Sequence, residues 1–397
     1  MIVADFRQKK IIMNKVYLDE MISGIKSWLV KHDYNYIECN DVPTCLYVDN
    51  QKINVLIRTF FRLCPINVRN MKLKEGQLFP ITPQANVALL KAYSIEKDIN
   101  VLEKIYDRVL SLQSPQVDNF ALKQGIKIAI SLYEDSEDDP TPLNTVWFGQ
   151  FLLEDESGIV AEQERREILI SIAKYLINEL GYIDYGENGI YFRYGHHIKR
   201  EVFNASAIIS SFLIELGMKY KINEYTQMGK RGIIYICNKQ NEEGSWFYAA
   251  KPERATIDCF HQAYILQALC KVQDFLDFEI KNVISKGVKF YLSLFENKGE
   301  YLIPKRYDKR YMPHNTWLFV KTDGRDIAEA LIFFSKFYPR PDLVSKLLSY
   351  SYDFFFNKKK GYMYPERFIY GMNRIPYIEF QAWFLYAFNV VKQYNYE

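Results

Sequence analysis

The sequence lacks most of the features that announce a chemistry. None of its six cysteines (Cys39, Cys45, Cys64, Cys237, Cys259 and Cys270) forms a CxxC pair or joins a spaced Cys/His array. That argues against a structural zinc site and a disulfide framework. There is no glycine-rich phosphate loop and no GxSxG elbow, so nucleotide-binding and serine-hydrolase motifs are missing. No apolar run approaches the roughly 20 residues of a membrane helix. The opening MIVADFRQKKIIMNK has no apolar core of signal-peptide type. The expectation is a cytoplasmic protein with free thiols and no transmembrane segment. Charge of one sign is absent too. Lys and Arg number 51 against 48 Asp and Glu, a net +3, too little to imply a nucleic-acid partner. The basic run Lys358, Lys359, Lys360 beside Gly361 reads as a solvated turn.

What is present is a soluble globular composition, 49% hydrophobic and 25% charged, over 397 residues, enough for a large core. Aromatics stand out, with 31 Tyr and 27 Phe. Tyrosine hydroxyls need partners, and the rims of sugar-binding clefts supply them. The codon bias of a low-GC genome would produce the same excess.

Four Gly-aromatic clusters punctuate the second half: ENGIYFRY at Gly189, EEGSWFYA at Gly244, NKGEYLIP at Gly299 and KKGYMYPE at Gly361. The intervals are 55, 55 and 62 residues. Each cluster follows one helical stretch and precedes another. A period in this range signals an array and outranks a domain count based on length. Helical hairpins of this length suit a closed ring of six. The reading is a single all-α domain over 1–397, an (α/α)6 toroid with inner and outer helix rings and a less regular lead-in at 1–50. The first third supplies two hairpins, near 51–115 and 116–180.

Helices before each turn are amphipathic. Helices after each turn are apolar nearly all round, as inner elements must be, yet carry polar residues near their N-terminal ends. These are Asn204 and Ser206; Asp258, His261 and Gln262 in ATIDCFHQAY; Arg325, Asp326 and Glu329; and Glu379 and Gln381. Parallel inner helices would bring these groups, and their positive dipole ends, to one mouth of the barrel. Anionic ligands such as uronic acids would be favoured there.

The segments NASAIISSFLIELG, GSWFYA, IDCFHQAYILQAL, GRDIAEAL and IPYIEFQAWFLYAF resemble a bacterial family of six-hairpin proteins from capsule and exopolysaccharide clusters, the VpsJ-like proteins. Asp258, Phe260 and His261 match its motif, while Cys259 and Gln262 replace Asn and Thr. Arg325, Asp326, Ala328, Glu329, Pro376, Tyr377, Gln381, Ala382 and Trp383 also match. TPLNTVWFGQFLL, TPQANVALLKAY and PINVRN are weaker echoes, and Asn144 falls in the first of them. A Trp-Gly-Tyr segment expected near 117–133 is missing. The resemblance implies a six-hairpin fold and a glycan context, with polysaccharide-synthesis partners, more than it implies one reaction.

Several chemistries fit the mouth. Hydrolysis of a glycosidic bond takes two carboxyls, for which Asp258 with Asp326 or Glu329 qualifies. Lyase or epimerase chemistry takes a base, His261 or Tyr248, and a cation, Arg325, against a uronate. Trp246, Tyr248, Tyr377 and Trp383 would stack on sugar faces; Asn144, Asn204 and Gln381 would bind hydroxyls. A structural account stands beside each: Arg325 with Glu329 as an i,i+4 pair, Asp258 as a helix cap, His261 as a core histidine. A catalytically silent toroid that binds glycan or a synthase partner is the alternative to an enzyme. The acidic run EDSEDDP at 134–140 is similar to a terpene-cyclase motif, and reads as an exposed loop before a proline turn. His196, His197 and Glu201 look loosely like metal ligands but lack a third helical partner, so neither metal nor cofactor is expected. His314, in YMPHNTW, would lie in a loop at the same mouth.

Overall fold

The computed structural model describes residues 2–37, 81–126, 128–130, 133–196, 201–250, 256–312 and 319–396, with a few positions between 48 and 60. Cys39, Cys45, Cys64, the PINVRN segment, His197 and His314 lie outside these residues. Twelve α-helices alternate between two kinds along the described chain. They fall into two compact units, one of residues Thr82–Leu294 and Tyr307–His314, the other of Met1–Ile81, Phe295–Arg306 and Asn315–Glu397.

The first helix, α1 (Ile2–Lys31), belongs to the second of these units. The larger unit is built from four helical hairpins. Helix α2 (Pro83–Glu96) turns into α3 (Ile99–Leu110) through Lys97, whose left-handed backbone ends α2, and Asp98, whose carboxylate caps Val101. Then follow α4 (Pro142–Glu154) with α5 (Glu162–Lys174), α6 (Phe203–Tyr220) with α7 (Asn223–Asn238), and α8 (Cys259–Val272) with α9 (Lys281–Ser293). The hairpins of the first third therefore sit at 83–110 and 142–180, the second completed by a π-helical turn at Tyr175–Leu180. Helices α2, α4, α6 and α8 contact one another in that order, and each contacts its own outer partner. Fourteen of the 18 residues of α6 are buried, as expected of a helix covered on every side. Helix α3 buries only one stripe, Leu102, Ile105, Tyr106 and Val109.

The smaller unit has two inner helices in contact, α10 (Gly324–Ile332) and α12 (Ile378–Asn395), with α11 (Pro341–Tyr350) outside. The fourth helix is α1, within the stretch read as a lead-in. It lies against α11 and α12, burying Leu18, Met21, Ile25 and Leu29.

Strands are short and serve as turns. β1 (Ile128–Ile130) pairs with β2 (Tyr133–Asp135), and β3 (Tyr182–Asp184) with β4 (Ile190–Phe192). β5 (Phe295–Lys298) pairs with β6 (Tyr301–Pro304). Ahead of α10, β7 (Val320–Asp323) joins a three-stranded sheet whose other members come later in the chain. β8 (Phe356–Asn357) and β9 (Tyr362–Met363) pair, and β10 (Glu366–Phe368) bridges β7 to β11 (Gly371–Met372).

Three of the four Gly-aromatic clusters are these hairpins, and Gly244 sits in a bonded turn of its own. The need for glycine is double at Gly189 and Gly244. Both have positive φ, 91° and 99°, where a side chain is strained. A Cβ there would also lie 2.3 Å from a carbonyl oxygen of the next outer helix, Arg231 on α7 and Lys286 on α9. The turn after one outer helix thus rests on the backbone of the following one, which is why the motif recurs with the hairpin period.

Candidate functional site

Which way a helix presents its residues follows from what its neighbours touch. On α6, Phe203 meets Tyr235 of α7, a Cβ on Gly232 would lie against Ser210, and Gly217 abuts Thr226. These positions mark the face toward α7. At 100° per residue, Asn204 and Glu215 lie about 100–160° round the helix from these positions and within about 20° of each other. That face is crossed by side chains of its two neighbours. Trp147 of α4 and Tyr264 of α8 meet with ring centroids 5.8 Å apart. Lower down, Lys271 of α8 bridges Glu154 of α4 and Glu215 of α6, the latter at 3.3 Å. Burial alone would depress the Lys271 ammonium, but the two carboxylates outweigh it and hold its pKa above the ordinary lysine value. Helices α4 and α8 are second neighbours, so these contacts are made across α6, in a trough lined by all three.

The N-terminal end of α8 carries Asp258 and His261. Asp258 is the N-cap of α8, its Oδ1 accepting the His261 backbone N–H at 3.1 Å, while its Oδ2 lies 2.6 Å from His261 Nδ1. The strand residue before it is held by two backbone bonds, Ile257 N–H to Tyr311 and Asp308 N–H to Ile257. The imidazole is half-buried between rings, 4.7 Å from Tyr248, 4.2 Å from Phe260 and 5.9 Å from Tyr264. Asp258 therefore caps and orients together. The carboxylate thus engages Nδ1 and fixes the orientation of the ring.

Gln262 does not share this face, contrary to the expectation for ATIDCFHQAY. It turns outward, its Oε1 accepting the Trp246 N–H at 3.0 Å and its Nε2 donating to the Trp246 carbonyl at 2.6 Å. Gln381 on α12 does the same to Met363, at 2.7 and 2.9 Å. Both glutamines are clamps for the extended segment that follows a glycine turn, which corrects Gln381 as a rim residue. Trp246 is 0% exposed, its indole N–H given to the Ile236 carbonyl. It is a core residue with no ring face for a sugar, a second correction. Asn144 and Asn204 are buried in the first turns of α4 and α6.

In the smaller unit the expected residues form a closed ion-pair network. Asp323 caps α10 in a capping box with Asp326 and takes Arg325 bidentately, at 3.1 and 2.9 Å. Arg325 also lies 3.5 Å from Glu379. Asp326 is bound by Arg306 at 3.1 Å, and Glu329 accepts the indole N–H of Trp383. So Arg325 pairs with Asp323 and Glu379. Burial raises the Asp323 carboxyl, but Arg325 and then Arg306 outweigh it and hold its pKa below the usual range. Asp326 and Glu329 are 0% and 2% exposed. That corrects both as second carboxyls for hydrolysis, and Arg325 as a cation ready for a uronate. Tyr377 is the buried N-cap residue of α12, and Trp383 is buried nearly two turns further on.

The remaining motifs resolve locally. Glu201 accepts hydroxyls from Tyr235, at 2.6 Å, and Tyr185, a bond that pushes the Tyr185 phenol up to about 12. In the acidic run, Asp139 accepts from Ser136 and Asp138 pairs with Lys123 at 3.2 Å. Among the described residues no cluster of three His, Cys, Asp or Glu could hold a metal, and no helix is long and apolar enough to cross a membrane. Sequence reasoning missed Trp147, Tyr264 and the Lys271 bridge. Their signal was a single lysine near the end of an apolar helix, and a tryptophan three residues after Asn144.

No protein-family model matches the sequence, and no curated protein matches it. Solved structures do. A family 76 glycoside hydrolase from a bovine Bacteroides thetaiotaomicron strain is similar with TM-score 0.60 at 10% identity, over 94% of this chain and 77% of that one. A Listeria innocua protein from structural genomics gives 0.61 at 12%, over 95% and 97%. The cellobiose 2-epimerase of Bacillus thermoamylovorans gives 0.54 at 12%, over 78% and 87%. At such identities the likeness speaks for the fold alone, and the fold is the all-α, six-hairpin toroid that the glycoside hydrolase and the epimerase share.

Proposed function

We propose that the chain acts on a saccharide by moving a proton at His261. The 2.6 Å bond from His261 Nδ1 to Asp258 carries this reading. An oriented imidazole whose partner carboxylate stabilises the charged form is suited to take a proton at Nε2 and return it. Next to a carbonyl, removal of a C–H proton leaves the electron pair delocalised onto the carbonyl oxygen. Return of a proton to the opposite face epimerises the carbon; expulsion of a leaving group is elimination. Tyr248, with its ring 4.7 Å away, is the second proton-carrying group. Asp326 and Glu329 are too deeply held for two-carboxyl hydrolysis, which favours this class; a family 76 glycoside hydrolase and a cellobiose 2-epimerase both share the fold. With Arg325 engaged by Asp323, a neutral sugar fits better than a uronate. The motifs at 258–261, 325–329 and 381–383 favour a precursor of a bacterial capsule or exopolysaccharide as the setting.

A second reading, a non-catalytic toroid that binds glycan in an assembly complex, is favoured by the same burial of Asp326 and Glu329. Incubation with cellobiose and D-mannose in D2O separates the two. Wild-type protein is expected to incorporate deuterium beside the carbonyl, read by NMR, and His261→Gln to lose at least about a hundredfold in rate. Binding without exchange would hand the function to the second reading. Exchange unaffected by His261→Gln would sink the dyad.

A further inference from the structure

Four short stretches of chain stand side by side at the N-terminal end of α8, tied by backbone bonds. Phe203 N–H donates to the Tyr248 carbonyl at 3.2 Å, and Tyr248 N–H donates to Thr256 at 2.8 Å. Ile257 N–H donates to Tyr311 at 3.3 Å, its carbonyl accepts from Asp308 N–H at 2.9 Å, and Asp258 is bridged to Tyr307. The last stretch, Tyr307–Tyr311, lies in the chain between β6 and β7 of the smaller unit, yet it belongs to the larger one.

This stretch is a turn held by its own side chains. Asp308 Oδ1 accepts the Arg310 backbone N–H at 2.8 Å, and Tyr311 N–H donates to the Asp308 carbonyl at 3.1 Å, the arrangement of an Asx turn. The same carboxylate takes the Arg310 guanidinium on both oxygens, at 3.0 and 2.9 Å. Arg310 also reaches Glu243 at 3.4 Å, and the Tyr311 ring meets Phe247 edge-on with centroids 5.0 Å apart. Glu243 and Phe247 belong to the glycine turn that presents Tyr248. The stretch is therefore fastened on one side to the backbone of Asp258 and on the other to the backbone of Tyr248.

We propose that Tyr307–Tyr311 is a strap that sets the two proton-carrying groups of the site against each other, His261 through Asp258 and Tyr248 through Glu243 and Phe247, with Asp308 as its positioning residue. The inference rests on the proton-transfer reading of His261 and Tyr248. A misplacement of about 1 Å costs up to about a hundredfold in rate. An ion pair made by a side chain as exposed as Arg310, at 54%, adds little to global stability. Rate and stability therefore separate in this segment.

Deuterium exchange into cellobiose and D-mannose in D2O, with kcat and KM measured separately, tests the strap together with NMR of the full chain carrying nitrogen-labelled histidine. The His261 signals are assigned by their loss in His261→Gln. Asp308→Ala removes the turn and the ion pair. It is expected to lower kcat about tenfold with KM within about twofold, to move the His261 Nδ1 resonance toward its position in Asp258→Asn, and to leave the melting temperature nearly unchanged. Asp308→Asn keeps an oxygen for the Arg310 N–H and should recover most of the rate. Arg310→Gln keeps the turn, opens the link to Glu243, and should lower kcat about threefold without moving the His261 resonance. An Asp308→Ala variant with wild-type kcat and an unmoved His261 resonance overturns the proposal, as does one whose losses Asp308→Asn shares in full. Should Asp308→Ala not fold, wild-type kcat in Arg310→Gln overturns it. If the wild type exchanges no deuterium, the proton-transfer reading falls on its own account. The His261 resonance then decides the strap, which stands if Asp308→Ala moves the signal and falls if it does not.

Discussion

Replacing Gln262 by leucine tests the account of the glycine-turn clamps most directly. The side chain is 2% exposed and satisfies both backbone groups of Trp246, accepting at 3.0 Å and donating at 2.6 Å. Leucine matches its bulk but does neither. It leaves a buried N–H and a buried C=O without partners, each costing about 1–3 kcal/mol. Against that, the apolar side chain regains about 1 kcal/mol of burial. The net expectation is a loss of about 1–5 kcal/mol, read from urea unfolding followed by tryptophan fluorescence. Gln262→Glu adds a signature. Ionised, it can still accept from the Trp246 N–H but cannot donate, and it buries a charge. Protonated, it can donate to the Trp246 carbonyl again. Because burial raises a carboxyl's pKa, this variant should regain stability as pH falls from 7 toward 5. A leucine variant within about 0.5 kcal/mol of wild type, or a glutamate variant indifferent to pH, would refute the clamp.

Gly244→Ala should destabilise by about 3 kcal/mol or more, since positive φ and a 2.3 Å approach to the Lys286 carbonyl combine. Gly299→Ala, at φ 59° with nothing within 4 Å, should cost only about 1 kcal/mol; comparison of melting temperatures decides it. Asp323 has a folded pKa below its ordinary 3.8, so the stability it contributes is complete above about pH 4 and is lost as pH falls through the depressed value. Asp323→Asn should therefore lower stability at pH 7 and flatten the acid limb of stability against pH. An acid limb as steep as wild type would exclude that role.

Much of the fold was legible because it repeats. Glycines at 189, 244, 299 and 361 all take positive φ, at turns that recur once per helical hairpin, and the apolar helices after them could only be inner ones. The place of α1 was not legible, because its partners lie far away in sequence and no local pattern encodes a contact between Gly24 and Gly361. The polar residues at inner-helix starts were found as a set but not sorted. His261 and Gln262 are adjacent in sequence yet 100° apart around the helix, so one enters the trough and the other grips Trp246. That difference depends on where neighbouring helices stand. Asp258 shows why a cap and a functional group need not be alternatives, since its two oxygens take one role each.

The attachment of α1 bears on how the molecule is made. Asn14 bonds Ser345 and Tyr352 bonds Glu20, across separations of 331 and 332 residues. At ribosomal rates of about 5–20 residues per second, α1 emerges about 15 seconds to a minute before α11 and α12 exist to cover it. Throughout that interval Leu18, Met21, Ile25 and Leu29 offer a bare apolar stripe on the nascent chain. The larger unit has no such wait, because each of its hairpins meets the next within a few dozen residues. Folding of the smaller unit should thus wait for α11 and α12, and a chaperone that holds the α1 segment would raise the yield of native protein more than one that acts on any later helix.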